Sequence, residues 1–340
     1  MYSGTSAIWR RSTDETTPFQ AHHGIRLSER YIGSPVEKVL QSGRGVRQSL
    51  IDLPEGAHAA YTELADEGFT DYYAMPVTFN SGLNSMLIVS TRKSGGFSDC
   101  DINNFRRMRD YVAPTLEVFS LRHLSSSLLD TYLGKRTGKK VLSGMIKRGD
   151  ADTIHAALWF SDLRDFTLMT ENLPADKLLK ILNDYFEYVA AAVTARGGEI
   201  LRFIGDAMLI VFPIDEQVSK HSACIAALDA ARDAQQSLAT HNHMRRRHGE
   251  HEIRFGVGLN VGEVIYGNVG APDRLDFTVM GPAVNRTARL ESLTKVVGED
   301  ILVSKEFSEL VGCPMKSLGE HMMKGIEQPQ PVFAPTELCV

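Results

Sequence analysis

Ile200-Leu-Arg-Phe-Ile-Gly-Asp-Ala-Met-Leu-Ile-Val-Phe212 holds two short apolar runs on either side of Gly205-Asp206. Turn residues between apolar runs make this a β-hairpin, with Asp206 at its tip. Working outward, Ile154 to Phe160 is dense in apolar residues and is expected to be a buried strand. Pro174 to Ala195 repeats Leu178, Leu182, Tyr185, Val189 and Val193 on one side of a helix that Gly197-Gly198 stops. An alanine-rich helix follows from about Glu216 to Arg247, and two further strands, Ile253 to Asn260 and Glu263 to Gly267, flank Gly262. The order βαββαβ predicts an α+β, ferredoxin-like unit, an antiparallel sheet flanked by helices.

In such a unit the first and third strands are neighbours. Asp162 closes the first strand and Asp206 sits at the hairpin tip, so both carboxylates can meet at one end of the sheet. Paired carboxylates repel, and divalent cations relieve the repulsion. The same residues also suit a helix cap at Asp162 and a tight turn at Asp206. Spacing alone leaves both readings open.

Phe-Ser-Asp-Leu-Arg-Asp-Phe-Thr at 160–167, Arg-Phe-Ile-Gly-Asp-Ala at 202–207 and Phe-Thr-Val-Met-Gly-Pro-Ala-Val-Asn-Arg-Thr-Ala-Arg-Leu-Glu at 277–291 resemble the catalytic domain of class III adenylate cyclases. The likeness keeps the family's order and spacings from about Thr153 to Phe333. It implies conversion of ATP to 3′,5′-cyclic AMP and pyrophosphate. It implies that Asp162 and Asp206 bind two magnesium or manganese ions, with the Leu163 carbonyl as a further ligand. Amides around Phe166 and Thr167, at a helix start, would hold the triphosphate. Asn285 and Arg289, four residues apart and so on one helix face, would orient the ribose and stabilise the transition state. Lys324 matches a lysine that contacts the phosphates. Read by themselves, the Asn285–Arg289 pair is an ordinary solvated face and Lys324 an exposed loop lysine.

The implied reaction is in-line attack of the ribose 3′-hydroxyl on the α-phosphorus. Two ions ~4 Å apart would activate the hydroxyl and neutralise the phosphates, while Arg289 offers fixed donors to the phosphoryl oxygens. No dedicated protein base is expected. Base selection falls to Arg202 and Thr278. The threonine hydroxyl accepts from the adenine amine, whereas Arg202 departs from the family's lysine and is bulkier and planar. Guanylate cyclases of the family carry glutamate and cysteine there. Asp165 is a second departure, standing where many relatives have glycine. In the family the metal aspartates come from one chain and the base-reading and transition-state residues from the other. One chain holding both sets therefore implies a head-to-tail homodimer. Two alternatives stay open: a guanylate or dual-specificity cyclase, and a non-catalytic dimeric nucleotide sensor.

Before this domain, Tyr72 to Val77 and Leu87 to Ser90 are expected strands around Asn80-Ser81-Gly82, and Asp99 to Val118 has helical spacing. Thr70 to Val77 and Gly95-Gly96-Phe97-Ser98 resemble the later part of a GAF-type sensory domain, implying regulation by an unidentified small ligand. Leu121 to about Ile146 is a separate helical linker interrupted by Gly134 and Gly138. The expected domains are thus residues 1–120, 121–152 and 153–340.

The bulk numbers exclude little. A net charge of −5 over 340 residues gives no electrostatic reason to expect a nucleic-acid partner. Apolar runs such as Ala207 to Phe212 fall far short of the ~20 residues of a membrane helix, the first residues lack a signal-peptide pattern, and the cysteines are scattered. A cytoplasmic, reducing setting is expected. Gly134 to Lys140 fails as a phosphate loop because its glycines are too close. Gly256-Val-Gly258-Leu-Asn-Val-Gly262 misses the dinucleotide fingerprint and is expected to be a close-packed sheet feature. The His241, His243, His248 and His251 group, at a helix end, is not expected to bind metal.

Overall fold

The computed structural model describes residues 2–10, 13–22 and 25–336. They fall in two compact units, Met1–Ser127 and Leu128–Val340.

The first unit opens with a hairpin, β1 (Tyr2–Arg10) and β2 (Glu15–His22). Then come α1 (Pro35–Ser42), β3 (Val46–Ser49), α2 (Ala59–Asp66), β4 (Asp71–Thr78) and β5 (Asn84–Thr91). The strands β3, β4 and β5 pair antiparallel in that order. One face of this sheet packs Tyr72 and Ala74 against Val39 and Tyr61. The other packs Tyr73 and Met75 on Ile102 of α3 (Asp99–Leu133), as the two-residue period of a strand requires. Helix α3 corrects the expectation of two helices parted near Val118. It runs 35 residues, through Pro114, because no glycine stops it before Gly134, which has φ +86°.

The second unit continues with α4 (Lys135–Leu142), β6 (Ala151–Leu163), α5 (Phe166–Asn172), α6 (Ala175–Ala195), β7 (Glu199–Ile204) and β8 (Ala207–Ile214). Next are α7 (Lys220–Arg247), β9 (Phe255–Ala271), β10 (Arg274–Met280) and α8 (Pro282–Val297). It closes with β11 (Ile301–Ser304), α9 (Lys305–Val311), β12 (Met315–His321) and β13 (Gln330–Pro335). The eight-stranded sheet runs β12-β13-β11-β9-β6-β8-β7, with β10 on β9. Its centre, β9-β6-β8-β7, is antiparallel throughout, which is the ferredoxin-like βαββαβ order. Side chains alternate along β6: Ala157 and Trp159 join Tyr185 and Leu228 under α6 and α7, while Ala156 and Leu158 join Val211, Tyr266 and Phe277 on the opposite face.

The expected pair of strands around Gly262 is one continuous strand, β9, of 17 residues. Gly262 makes no turn. A Cβ there would lie 2.8 Å from Ala283 Cβ, and one at Gly258 would lie 2.5 Å from both Glu291 N and Thr287 O. These glycines therefore form the bed on which α8 lies against the sheet. Cys100 and Cys224 are free. Among the described residues no helix is long and apolar enough to cross a membrane.

Candidate active site

Asp162, the next-to-last residue of β6, stands opposite Ala207 of β8 and Gly256 of β9. Asp206 occupies the turn just before Ala207, where Gly205 supplies φ +66°. One backbone feature thus brings together carboxylates that are far apart in sequence. Burial pushes the Asp206 carboxyl up to about 6, helped by a hydrogen bond and repulsion from Asp162. Lys295 of α8 reaches the same place, its Nζ 3.0 Å from Asp162 Oδ2.

Under the pair lies Glu291, only 2% exposed, whose carboxyl is pushed up to about 7 by burial and then by Asp162. Arg164 approaches it, with Nη1 3.9 Å from Glu291 Oε1 and Nη2 donating to Thr294 Oγ1 at 2.8 Å. Neither Glu291 nor Lys295 was assigned from sequence. A signal existed for Glu291: with Thr287 and Thr294 it makes a buried polar row at helical spacing on α8.

The remaining candidates lie at four separate places. Arg202 forms an ion pair with Asp276, joining β7 to β10, and the buried Thr278 lies two residues along the same strand. Asp276 is a partner that spacing did not indicate. Asn285 and Arg289 are exposed on α8. At 100° per residue, Arg289 stands roughly 160° and Asn285 roughly 120° around the helix from Glu291. Because Glu291 faces the chain's own aspartates, Arg289 points away from them. Lys324 is exposed in the turn between β12 and β13, after the buried Met323.

Phe166 opens α5 and packs on the core, while Thr167 is exposed. Asp165 before them has φ 60°, a left-handed conformation that suits glycine. Its side chain makes no helix cap and instead pairs with Arg254, Nη2 to Oδ2 3.4 Å. Elsewhere, His241 Nδ1 shares a 3.0 Å hydrogen bond with Tyr188, and His248 Nδ1 meets the Met244 carbonyl at 2.8 Å.

The donor set at Asp162 and Asp206 consists of hard oxygens, which suits magnesium or manganese. Among the described residues no group of three or more His, Cys, Asp or Glu side chains is placed to hold a metal. The two carboxylates would therefore need backbone and substrate oxygens to complete a coordination shell.

The raised Asp206 carboxyl has a measurable consequence. With its folded value near 6 and its ordinary value at 3.8, the ionised group destabilises the fold at high pH. That penalty fades as pH falls from 6 towards 4. Asp206→Asn is thus expected to raise the melting temperature in chelator at pH 8, with a smaller gain at pH 5, by differential scanning fluorimetry.

A ferredoxin-like sheet with two aspartates at one end and a polar helix laid beside them is the arrangement expected of a class III nucleotide cyclase domain. Residues 150–333, more than half of the chain, match the family described as adenylate and guanylate cyclase catalytic domain, and the chain belongs to that family. It is 35% identical over 173 residues to an adenylate cyclase of Anabaena cylindrica, matching 50% of this chain and 33% of that one. It is 36% identical over 172 residues to the terminal-differentiation-specific adenylate cyclase of Dictyostelium discoideum, matching 50% and 8%. The chain thus spans a third or less of the length of these relatives. A bacterial light-regulated adenylyl cyclase structure superposes with a TM-score of 0.53 at 25% identity, covering 66% of this chain and 64% of that one. The adenylyl cyclase CyaB from P. aeruginosa gives 0.49 at 26%, covering 54% and 94%.

Proposed function

We propose that the chain is an adenylate cyclase that forms 3′,5′-cyclic AMP and pyrophosphate from ATP, at sites shared by two copies arranged head to tail. The observation that carries this reading is the meeting of Asp162 and Asp206 at one sheet end, while Arg289 of the same chain points elsewhere. A second copy would bring that arginine to the aspartates.

Asp162, Asp206 and the Leu163 carbonyl would hold two Mg2+ or Mn2+ ions. When bound, such ions acidify the ribose hydroxyl and neutralise phosphate charge. Amides at Phe166 and Thr167, with Lys324, take the triphosphate. Asn285 orients the ribose. Thr278 accepts from the adenine amine, and Arg202 donates to a ring nitrogen. The 3′-oxygen–α-phosphorus bond forms as the α–β phosphoanhydride bond breaks. The hydroxyl proton leaves to solvent, and Arg289 holds the phosphoryl oxygens as they gain charge. The N-terminal residues, about 1–120, are proposed as a GAF-like sensory module, with residues 121–152 as the transducing segment.

A GTP-using reading is favoured by Arg202 alone, since a guanidinium fork suits guanine O6 and N7. Product identification with Mn2+ and parallel ATP and GTP tests the proposal. Cyclic AMP should dominate. Cyclic GMP from GTP as the sole product would move the chain to the guanylate class, and tight nucleotide binding without pyrophosphate release would make it a sensor.

A further inference from the structure

Three carboxyls converge at the end of β6, namely Asp162, Asp206 and the buried Glu291, and two cations reach them. Arg164 is committed elsewhere: it is 13% exposed, donates to Thr294 Oγ1 at 2.8 Å and lies within 3.9 Å of Glu291 and Asp300. Lys295 is different. Its Nζ lies 3.0 Å from Asp162 Oδ2, and its side chain is 47% exposed against 23% for the aspartate. The ammonium therefore sits on the face of Asp162 that solvent reaches, on a flexible four-carbon stem that can swing away. Among the described residues it is the cation within ion-pair distance of Asp162.

We infer that Lys295 is a built-in competitor for the metal: its ammonium neutralises Asp162 until a divalent ion takes the carboxylate, and so sets how much free metal the site requires. The inference rests on the reading of Asp162 and Asp206 as metal ligands. A half-exposed ion pair is weak enough to be broken by a divalent ion. Removing the lysine also takes one positive charge from within a few ångströms of the bound ion. At that separation, a unit charge acting on a divalent ion changes affinity by about tenfold or more, even in a largely aqueous environment. Lys295 is thus a positioning and affinity-setting residue, acting through Asp162.

The test is Mn2+ binding to the full chain without nucleotide, followed by the loss of the free-ion electron paramagnetic resonance signal. Lys295→Met and Lys295→Gln, with folding checked by circular dichroism, should bind Mn2+ about tenfold more tightly than the unaltered chain. Lys295→Arg keeps the charge and should stay within about twofold. A merely structural lysine would not separate the neutral variants from the arginine one. Equal or weaker binding by both neutral variants, including no detectable binding by any form, overturns the inference. Asp162→Asn distinguishes the underlying reading. If it binds Mn2+ as the unaltered chain does, the assignment of the metal ligand fails, whatever Lys295 does.

Discussion

Asp206→Ala is expected to cut cyclase turnover by roughly a thousandfold or more while leaving the chain folded. On the proposed reading Asp206 helps hold a catalytic ion, and losing that carboxylate would remove several kcal/mol of transition-state stabilisation, each 1.36 kcal/mol being a factor of ten in rate. The fold should survive because Asp206 belongs to a turn, not to the core, and its carboxyl is disfavoured there: burial and Asp162 hold its pKa at about 6. Pyrophosphate release gives the rate and circular dichroism the fold. Activity within tenfold of the unaltered chain would remove the basis for the enzyme reading.

Two inactive chains should restore one another. In the proposed head-to-tail dimer, each site would take Asp162 and Asp206 from one copy and Asn285 and Arg289 from the other. Asp206→Ala and Arg289→Ala each spoil both sites of their own homodimer. In a mixed dimer one site carries both lesions and the other carries neither. Random exchange at equal concentrations makes half the dimers mixed, so recovery should approach about a quarter of the unaltered activity. Chains that exchange, by size or tag-based capture, yet recover no turnover would show that the site is not shared. The geometry behind this expectation lies within one chain: Arg289 and Glu291 are two residues apart on α8 and emerge on nearly opposite sides of the helix.

The strands that build the sheet centre were legible because their apolar runs are short, dense and bounded by turn residues. Asp162 and Asp206 were legible as neighbours because the βαββ order fixes which strands touch. Gly262 misled for a physical reason. Glycine in a strand signals either a turn or a close approach, and only the packing of Ala283 at 2.8 Å from its absent Cβ decides between them. The expected break between Val118 and Leu121 likewise falls where the chain stays helical to Leu133. Lys295 and Asp276 carry no motif of their own. Each matters through a partner on another element, Asp162 at a separation of 133 residues in one case and Arg202 in the other. Pairings of that kind arise from tertiary packing, and no periodicity announces them.

Helix α8 rests directly on its glycine bed, with no side-chain cushion at Gly258 or Gly262. Such a helix moves as a stiff bar rather than yielding residue by residue. In the proposed dimer its inner side borders one reaction centre and its outer side the other. Any event that displaces the bar, such as nucleotide entry, would therefore be felt at both centres together, and the pair would act as a single mechanical unit.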